Sequence, residues 1–182
     1  KPALKEITAV PTLTNDNATS YTFYSTLAGT IDYGGSCTSN DNTTVGDNNT
    51  TITFNALADN TYSDCTLRVT STNGVVSDNL SVNSFTIDTT APSLSQVTAI
   101  PHPTNDNSPD YTFYSNEAGD ITYGGTCGSS SYKPNTSSAT VDNNTVTFRN
   151  LVHNTTYSDC KISVTDNASN TSDNLTVNTF TV

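Results

Sequence analysis

Short runs in which every second residue is apolar recur along the chain, separated by clusters of Asn, Asp, Gly, Ser and Pro. That is the pattern of half-buried strands joined by turns. In the second half the runs predict strands over residues 93–100, 110–115, 119–126, 138–142, 145–151, 157–165 and 174–182. Tyr111 and Phe113, Val146 and Phe148, and Ile162 and Val164 each stand two apart. Each pair therefore shares one face of the pleat and is expected in the core. The first half repeats this with Tyr21/Phe23, Ile52/Phe54 and Leu67/Val69. The last strand breaks the alternation in both halves. Leu80 and Val82 hold one phase and Phe85 and Ile87 the other, and Leu175/Val177 stand against Phe180/Val182 in the same way. An extra residue midway, a β-bulge, is the expected cause.

The two halves are copies. A shift of 90 residues lays Thr14-Asn15-Asp16-Asn17 on Thr104-Asn105-Asp106-Asn107, and Tyr21-Thr22-Phe23-Tyr24-Ser25 on Tyr111-Thr112-Phe113-Tyr114-Ser115. The match runs on through Tyr33-Gly34-Gly35 with Cys37, against Tyr123-Gly124-Gly125 with Cys127. After a net insertion of five residues it resumes at Tyr62-Ser63-Asp64-Cys65 and Tyr157-Ser158-Asp159-Cys160. The insertion falls in the polar run 128–140, which reads as a variable loop or weak edge strand. About seven short strands per copy suit an all-β fold of two tandem immunoglobulin-like β-sandwich domains, residues 1–90 and 91–182.

Composition makes a cross-link useful. Of 182 residues only 32% are apolar, and Trp and Met are missing, so each core must be thin. Four cysteines, one pair per copy at matching positions, point to two disulfides, Cys37–Cys65 and Cys127–Cys160. Repeat symmetry selects this pairing. Topology agrees with it, because the first cysteine follows the third strand and the second opens the sixth, and these are antiparallel neighbours in such a sandwich. Closing loops of this length contributes roughly 3.5 kcal/mol in the chain-entropy model. Stable disulfides imply an oxidising compartment, hence an extracellular or cell-surface setting. Two cysteines with no partnering histidine do not make a zinc site.

Net charge is −11, with 3 basic against 9 acidic residues in 1–91 and 3 against 8 in 92–182. Neither half has a basic face, which argues against nucleic acid and anionic lipid as partners. No apolar stretch approaches the roughly 18 residues of a membrane span, so no membrane insertion is expected. The chain starts inside a repeat, at Lys1-Pro2-Ala3-Leu4, as expected of a piece of a longer precursor. Fifteen of the seventeen acids are Asp scattered through turns, with no paired carboxylates of the kind that hydrolysis uses. His102 and His153 lie in no motif that positions a nucleophile. The chain reads as no enzyme, with no catalytic residue and no bound cofactor.

Leu57-Ala58-Asp59-Asn60-Thr61-Tyr62, followed by the strand Thr66–Thr70, resembles the motif before the penultimate strand in bacterial immunoglobulin-like repeats of large secreted or surface adhesins. Asp88-Thr89-Thr90-Ala91-Pro92 is similar to their inter-repeat junction, and Val164-Thr165-Asp166-Asn167-Ala168-Ser169-Asn170 to their turn before the last strand. The first copy departs from it, with Ser71-Thr72-Asn73-Gly74 in place of the Asp166 turn, and His153 stands near the position of Asp59. The resemblance implies a tyrosine corner at Tyr62 and Tyr157, whose hydroxyl bonds upstream backbone. It also raises Ca2+ at the inter-domain junction, with Asp16, Asp78, Asp88, Asp106, Asp166 and Asp173 as oxygen donors. The plainer reading of those residues, and the favoured one, is turn capping.

Eleven Asn-X-Ser/Thr sequons, among them Asn17, Asn49, Asn79, Asn135, Asn154 and Asn174, offer glycosylation acceptors, although so Asn- and Thr-rich a chain generates most by chance. Tyr24, Tyr114 and Tyr132 are candidates to bind sugar or protein, against the simpler role of pairing across the sheet. The leading expectation is a structural extender of a surface protein or fibre, its partners being neighbouring copies of the module. Its rivals are a filament subunit joined head to tail by strand pairing and an adhesin module that binds a surface glycan or protein.

Overall fold

The alternating runs become the strands of two units, Lys1–Thr90 and Ala91–Val182, in a computed structural model that describes residues 1–40 and 44–182. The first unit contains β1 (Leu4–Thr8), β2 (Leu13–Thr14), β3 (Ser20–Ser25), β4 (Gly29–Gly34) and β5 (Thr44–Val45). It continues with β6 (Asn49–Thr53), β7 (Asn60–Tyr62), β8 (Thr66–Ser71), β9 (Leu80–Ser81) and β10 (Phe85–Ile87). One sheet has the order β1-β3-β6 and the other β5-β4-β8-β9, while β2-β10-β7 forms a short third sheet in which β2 and β10 run parallel. The first, sixth and seventh strand paths are each interrupted, so among the described residues ten segments trace seven paths, the architecture of an immunoglobulin-like or fibronectin-like sandwich. The core draws on both sheets: Tyr21, Phe23, Ile52 and Phe54 from one, and Leu67 and Val69 from the other, are all at most 1% exposed.

The second unit follows the same plan with β11 (Leu94–Thr98), β12 (Asp110–Ser115), β13 (Gly119–Gly124), β14 (Ser138–Ala139) and β15 (Asp142–Thr147). Then come β16 (Thr156–Tyr157), β17 (Lys161–Thr165), β18 (Leu175–Thr176) and β19 (Phe180–Thr181). Its sheets are β11-β12-β15, β14-β13-β17-β18 and β16-β19. It has no counterpart of β2. Pro103 stands where the first copy has Leu13; Thr104 N–H still bonds Thr181 O, but Thr181 N–H, whose counterpart Thr86 N–H bonds Thr12 O, goes to the side-chain Nδ1 of His102 instead.

Several strand limits differ from the sequence expectation. The strand expected over 119–126 stops at Gly124, because Gly125 turns the chain at φ 68° into a 3-10 turn, Thr126–Gly128. The runs 138–142 and 145–151 become β14 and β15, divided by Thr140 and Val141, with Asp142 opening β15 at φ 99°. The insertion in 128–140 holds both expected features, a loop and the two-residue edge strand β14. The run 157–165 divides into β16 and β17.

The bulge expected in the last strand is a full break. In the first unit Asn83 occupies the gap between β9 and β10. Its Oδ1 accepts from Val10 N–H at 3.0 Å, and its Nδ2 donates to Val10 O at 2.8 Å and to Ser84 O at 3.3 Å. Asn178 does the same to Ile100 O and N–H and to Thr179 O. The side-chain amide imitates a peptide group, so it continues the ladder to the first strand while its own backbone shifts phase. Val82 and Phe85 can then both face the core, at 5% and 1% exposure.

Candidate functional site

The cysteines close each sandwich within one sheet. β4 and β8 pair in antiparallel register from Gly29↔Ser71 to Gly34↔Thr66, and Cys37 and Cys65 lie just beyond the end of that ladder, bonded with their α-carbons 5.2 Å apart. Cys127 and Cys160 stand in the same place beside β13 and β17, 5.1 Å apart. The approach requires glycine. Gly35 and Gly125 have φ 75° and 68°, and a β-carbon on either would fall 2.1 or 2.0 Å from the carbonyl oxygen of Asp64 or Asp159. Asp64 and Asp159 tie the same corner through Ser36 Oγ, and through Thr126 N–H and Oγ1, respectively.

The tyrosine corner is built differently in the two copies. The Tyr62 hydroxyl donates to Ala58 O at 2.9 Å, whereas the Tyr157 hydroxyl accepts from Val152 N–H at 2.9 Å. A phenol can do either, so the position survives the local change from Ala58-Asp59 to the longer turn around His153. Both rings stack on the last strand's phenylalanine, Tyr62 on Phe85 at 5.4 Å and Tyr157 on Phe180 at 5.3 Å.

Four of the six aspartates proposed as oxygen donors have local work within their own units. Asp16 and Asp106 accept from the backbone N–H two residues on, at Ala18 and Ser108. Asp88 accepts from Thr90 N–H. Asp166, 9% exposed, takes the Asn170 backbone N–H and side-chain amide, both at 2.9 Å. Asp78 meets Lys1 Nζ, and Asp173 is exposed. The contacts of Asp16, Asp88, Asp106 and Asp166 are Asx-type turn contacts.

Asp59, absent from the sequence-based donor set, accepts the N–H and hydroxyl of Thr89 and the hydroxyl of Thr90. Those hydrogen bonds, from the Thr90 and Thr89 hydroxyls and the Thr89 amide, hold its carboxyl below the usual carboxylate range. It had no local signal, because its partners lie thirty residues on.

Three tyrosines carry shifted phenols, all through burial. Tyr21 is raised by burial and further by Glu6, whose Oε2 accepts its hydroxyl at 3.1 Å. Tyr111 is pushed up to about 12 by burial, and its hydroxyl meets Gln96 Oε1 at the equivalent place. Burial also raises Tyr123, which donates to Thr136 O. These shifts accompany satisfied core phenols.

Of the tyrosines proposed as ligand contacts, Tyr132 is half-buried. Its ring packs edge-on against Tyr157 at 6.0 Å, which removes it from the exposed set. Tyr24 is partly exposed and Tyr114 is 38% exposed, both on outward faces. The sequon residues Asn17, Asn49, Asn79, Asn135, Asn154 and Asn174 are all exposed. Each unit also has a shallow groove between the starts of its first and last strands. One is about 280 Å³, with Pro2, Leu4, Asp78 and Leu80 in its walls, and the other about 410 Å³, with Pro92, Leu94, Asp173 and Leu175. His102 is occupied with Thr181 N–H, and among the described residues neither histidine is hydrogen-bonded to a serine hydroxyl.

No family model matches the chain, and no curated protein matches it. Among solved structures it is similar to the fibronectin(III)-like modules of Clostridium thermocellum CbhA, with 8% identity and a TM-score of 0.43, over 99% of this chain and 94% of that one. That likeness carries no functional argument. No helix among the described residues is long and apolar enough to cross a membrane. Two disulfides fit an extracellular protein.

Proposed function

We propose that the chain is a non-catalytic structural extender of an extracellular surface protein or fibre, in which sandwich modules repeat in tandem. The observation that carries this reading is that each copy is complete in itself, with seven strand paths, its own core and its own disulfide at the matching corner. The ends of the units support it. Asp59 pins Thr89 and Thr90 to the first unit, and Ser93 and Asn116 exchange hydrogen bonds in the second, so little slack chain separates the two anchorages. In the first unit a filament assembled by strand donation has less to draw on, since β10 is already paired on both sides, by β2 and β7.

Stretching the chain between a surface and a cantilever tests the reading. Two unfolding events of similar force are expected, one per unit. Extension without a force barrier, or with a barrier in one unit only, would remove the extender role.

A further inference from the structure

The outward faces of the two sheets have diverged to different degrees between the copies. On β4 and β8 the outward positions are Thr30, Asp32, Gly34, Thr66, Arg68 and Thr70. In the second unit they are Asp120, Thr122, Gly124, Lys161, Ser163 and Thr165, so most have changed. On β3 and β6 the outward positions are Ser20, Thr22, Tyr24, Asn49, Thr51 and Thr53, and on β12 and β15 they are Asp110, Thr112, Tyr114, Asn143, Thr145 and Thr147. Here only the first differs.

Part of that retention is structural. Thr22 and Thr51 bond hydroxyl to hydroxyl at 2.7 Å, and Thr112 and Thr145 at 2.8 Å. Tyr24 and Asn49 have no such explanation. They stand directly opposite in the register, as do Tyr114 and Asn143. Among the described residues neither the phenol hydroxyls nor the side-chain amides of these four make a hydrogen bond, and neither ring contacts another. A phenol and an amide held side by side about 5 Å apart on a pleat, identical in both copies and used by neither core, are available to something outside the molecule.

We propose that this face, Tyr24 with Asn49, Thr22 and Thr51 and its counterpart Tyr114 with Asn143, Thr112 and Thr145, binds a neutral polysaccharide. The apolar face of a sugar ring stacks on tyrosine while its hydroxyls exchange hydrogen bonds with an amide and two threonines, a mixture that suits no purely apolar or purely ionic ligand. The ligand is neutral because the charges around the patch are not shared. Lys5 beside Tyr24 is replaced by Ser95 beside Tyr114, and Ser20 by Asp110, whereas the uncharged centre is kept on a chain of net charge −11. Exposed Ile7 and Val97 on the adjoining strands extend the apolar part of the surface. Two equal surfaces on one chain match a ligand that itself repeats. This goes beyond the extender role and does not depend on it.

Native electrophoresis of the whole chain through gels containing soluble mixed-linkage β-glucan, xylan, galactomannan or dextran tests the assignment, with migration compared against a polysaccharide-free gel. Retardation is expected with at least one polymer. It should fall at least tenfold in apparent affinity in Tyr24→Ala/Tyr114→Ala, recover substantially in Tyr24→Phe/Tyr114→Phe, and be unchanged in the opposite-face control Thr30→Ala/Thr122→Ala. These side chains are at least partly exposed, and retained circular dichroism and intact disulfides establish that each variant folds. Absence of retardation in all four gels overturns the proposal, as does retardation that survives removal of both rings. Sedimentation that shows self-association lost with the rings would assign the face to a protein contact instead, and would equally overturn it.

Discussion

Reducing the disulfides should lengthen the stretched chain in two steps of unequal and calculable size. While Cys37–Cys65 is intact, the 28 residues of its loop cannot extend when the first unit unfolds. At about 3.5 Å per extended residue, less the 5.2 Å already spanned between the α-carbons, reduction releases about 93 Å. The second loop, with a separation of 33 and an α-carbon distance of 5.1 Å, releases about 110 Å. Single-molecule force spectroscopy with and without a thiol reductant resolves that difference. The same loops contribute about 3.6 and 3.7 kcal/mol in the chain-entropy model. Reduced material should therefore also melt some 15–25 °C lower, given the usual conversion for units of this size. Two equal steps, one much larger step, or no step would mean that the cysteines are free or joined across the two halves. The inference from repeat symmetry to pairing would then fail.

Three further outcomes follow from particular contacts. Gly125→Ala should destabilise the second unit by about 2 kcal/mol or more in urea unfolding, since the new methyl meets Asp159 O and the residue must keep φ 68°; an unchanged midpoint would contradict the close approach. Asn83→Ala should cost about 2–3 kcal/mol, because three hydrogen bonds go and the Val10 amide and carbonyl are left with no partner, whereas replacement of exposed Asn79 should cost under about 0.5 kcal/mol on the same measurement. The Asp59 carboxyl should titrate by NMR below the ordinary aspartate range, and Thr89→Val/Thr90→Val, which removes both hydroxyl donors and leaves the Thr89 amide, should raise it toward that range. Because its folded-state value is depressed, its contribution is present above the unfolded-state value, near 4, and is lost as the pH falls through the lower folded value.

What could be read from the chain was whatever local periodicity records. Tyr21/Phe23 and Ile162/Val164 announce their faces because a strand alternates every two residues, and those pairs are buried. The phase change from Val82 to Phe85 announced an irregularity at the right place. Its cause was not legible, because an asparagine in a chain so rich in asparagine has no contrast with its surroundings. The signal that would have found Asn83 was its recurrence as Asn178 at the same phase change. Asp59 was missed and Tyr132 misplaced for a different reason. Their partners, Thr89, Thr90 and Tyr157, lie 25 to 31 residues away, and no window of alternation spans that distance. The Tyr24–Asn49 pairing is similarly invisible until the strands are set in register, although both residues stood in plain view as an exposed tyrosine and a sequon.

The amide of Asn83 grips Val10, and β10 lies along β2, so although β1 pairs with β3, the second half of the opening strand path is held by the closing one. A ribosome must therefore deliver nearly the whole of a repeat before this stretch meets its partner, and during that interval it is exposed to the trailing segment of the repeat made before it. In a long array this is the moment at which neighbouring copies can exchange strands. The differences between the copies in this pairing, with Pro103 and His102 replacing Leu13 and Thr12, give adjacent repeats unlike edges just where a wrong partner would be met.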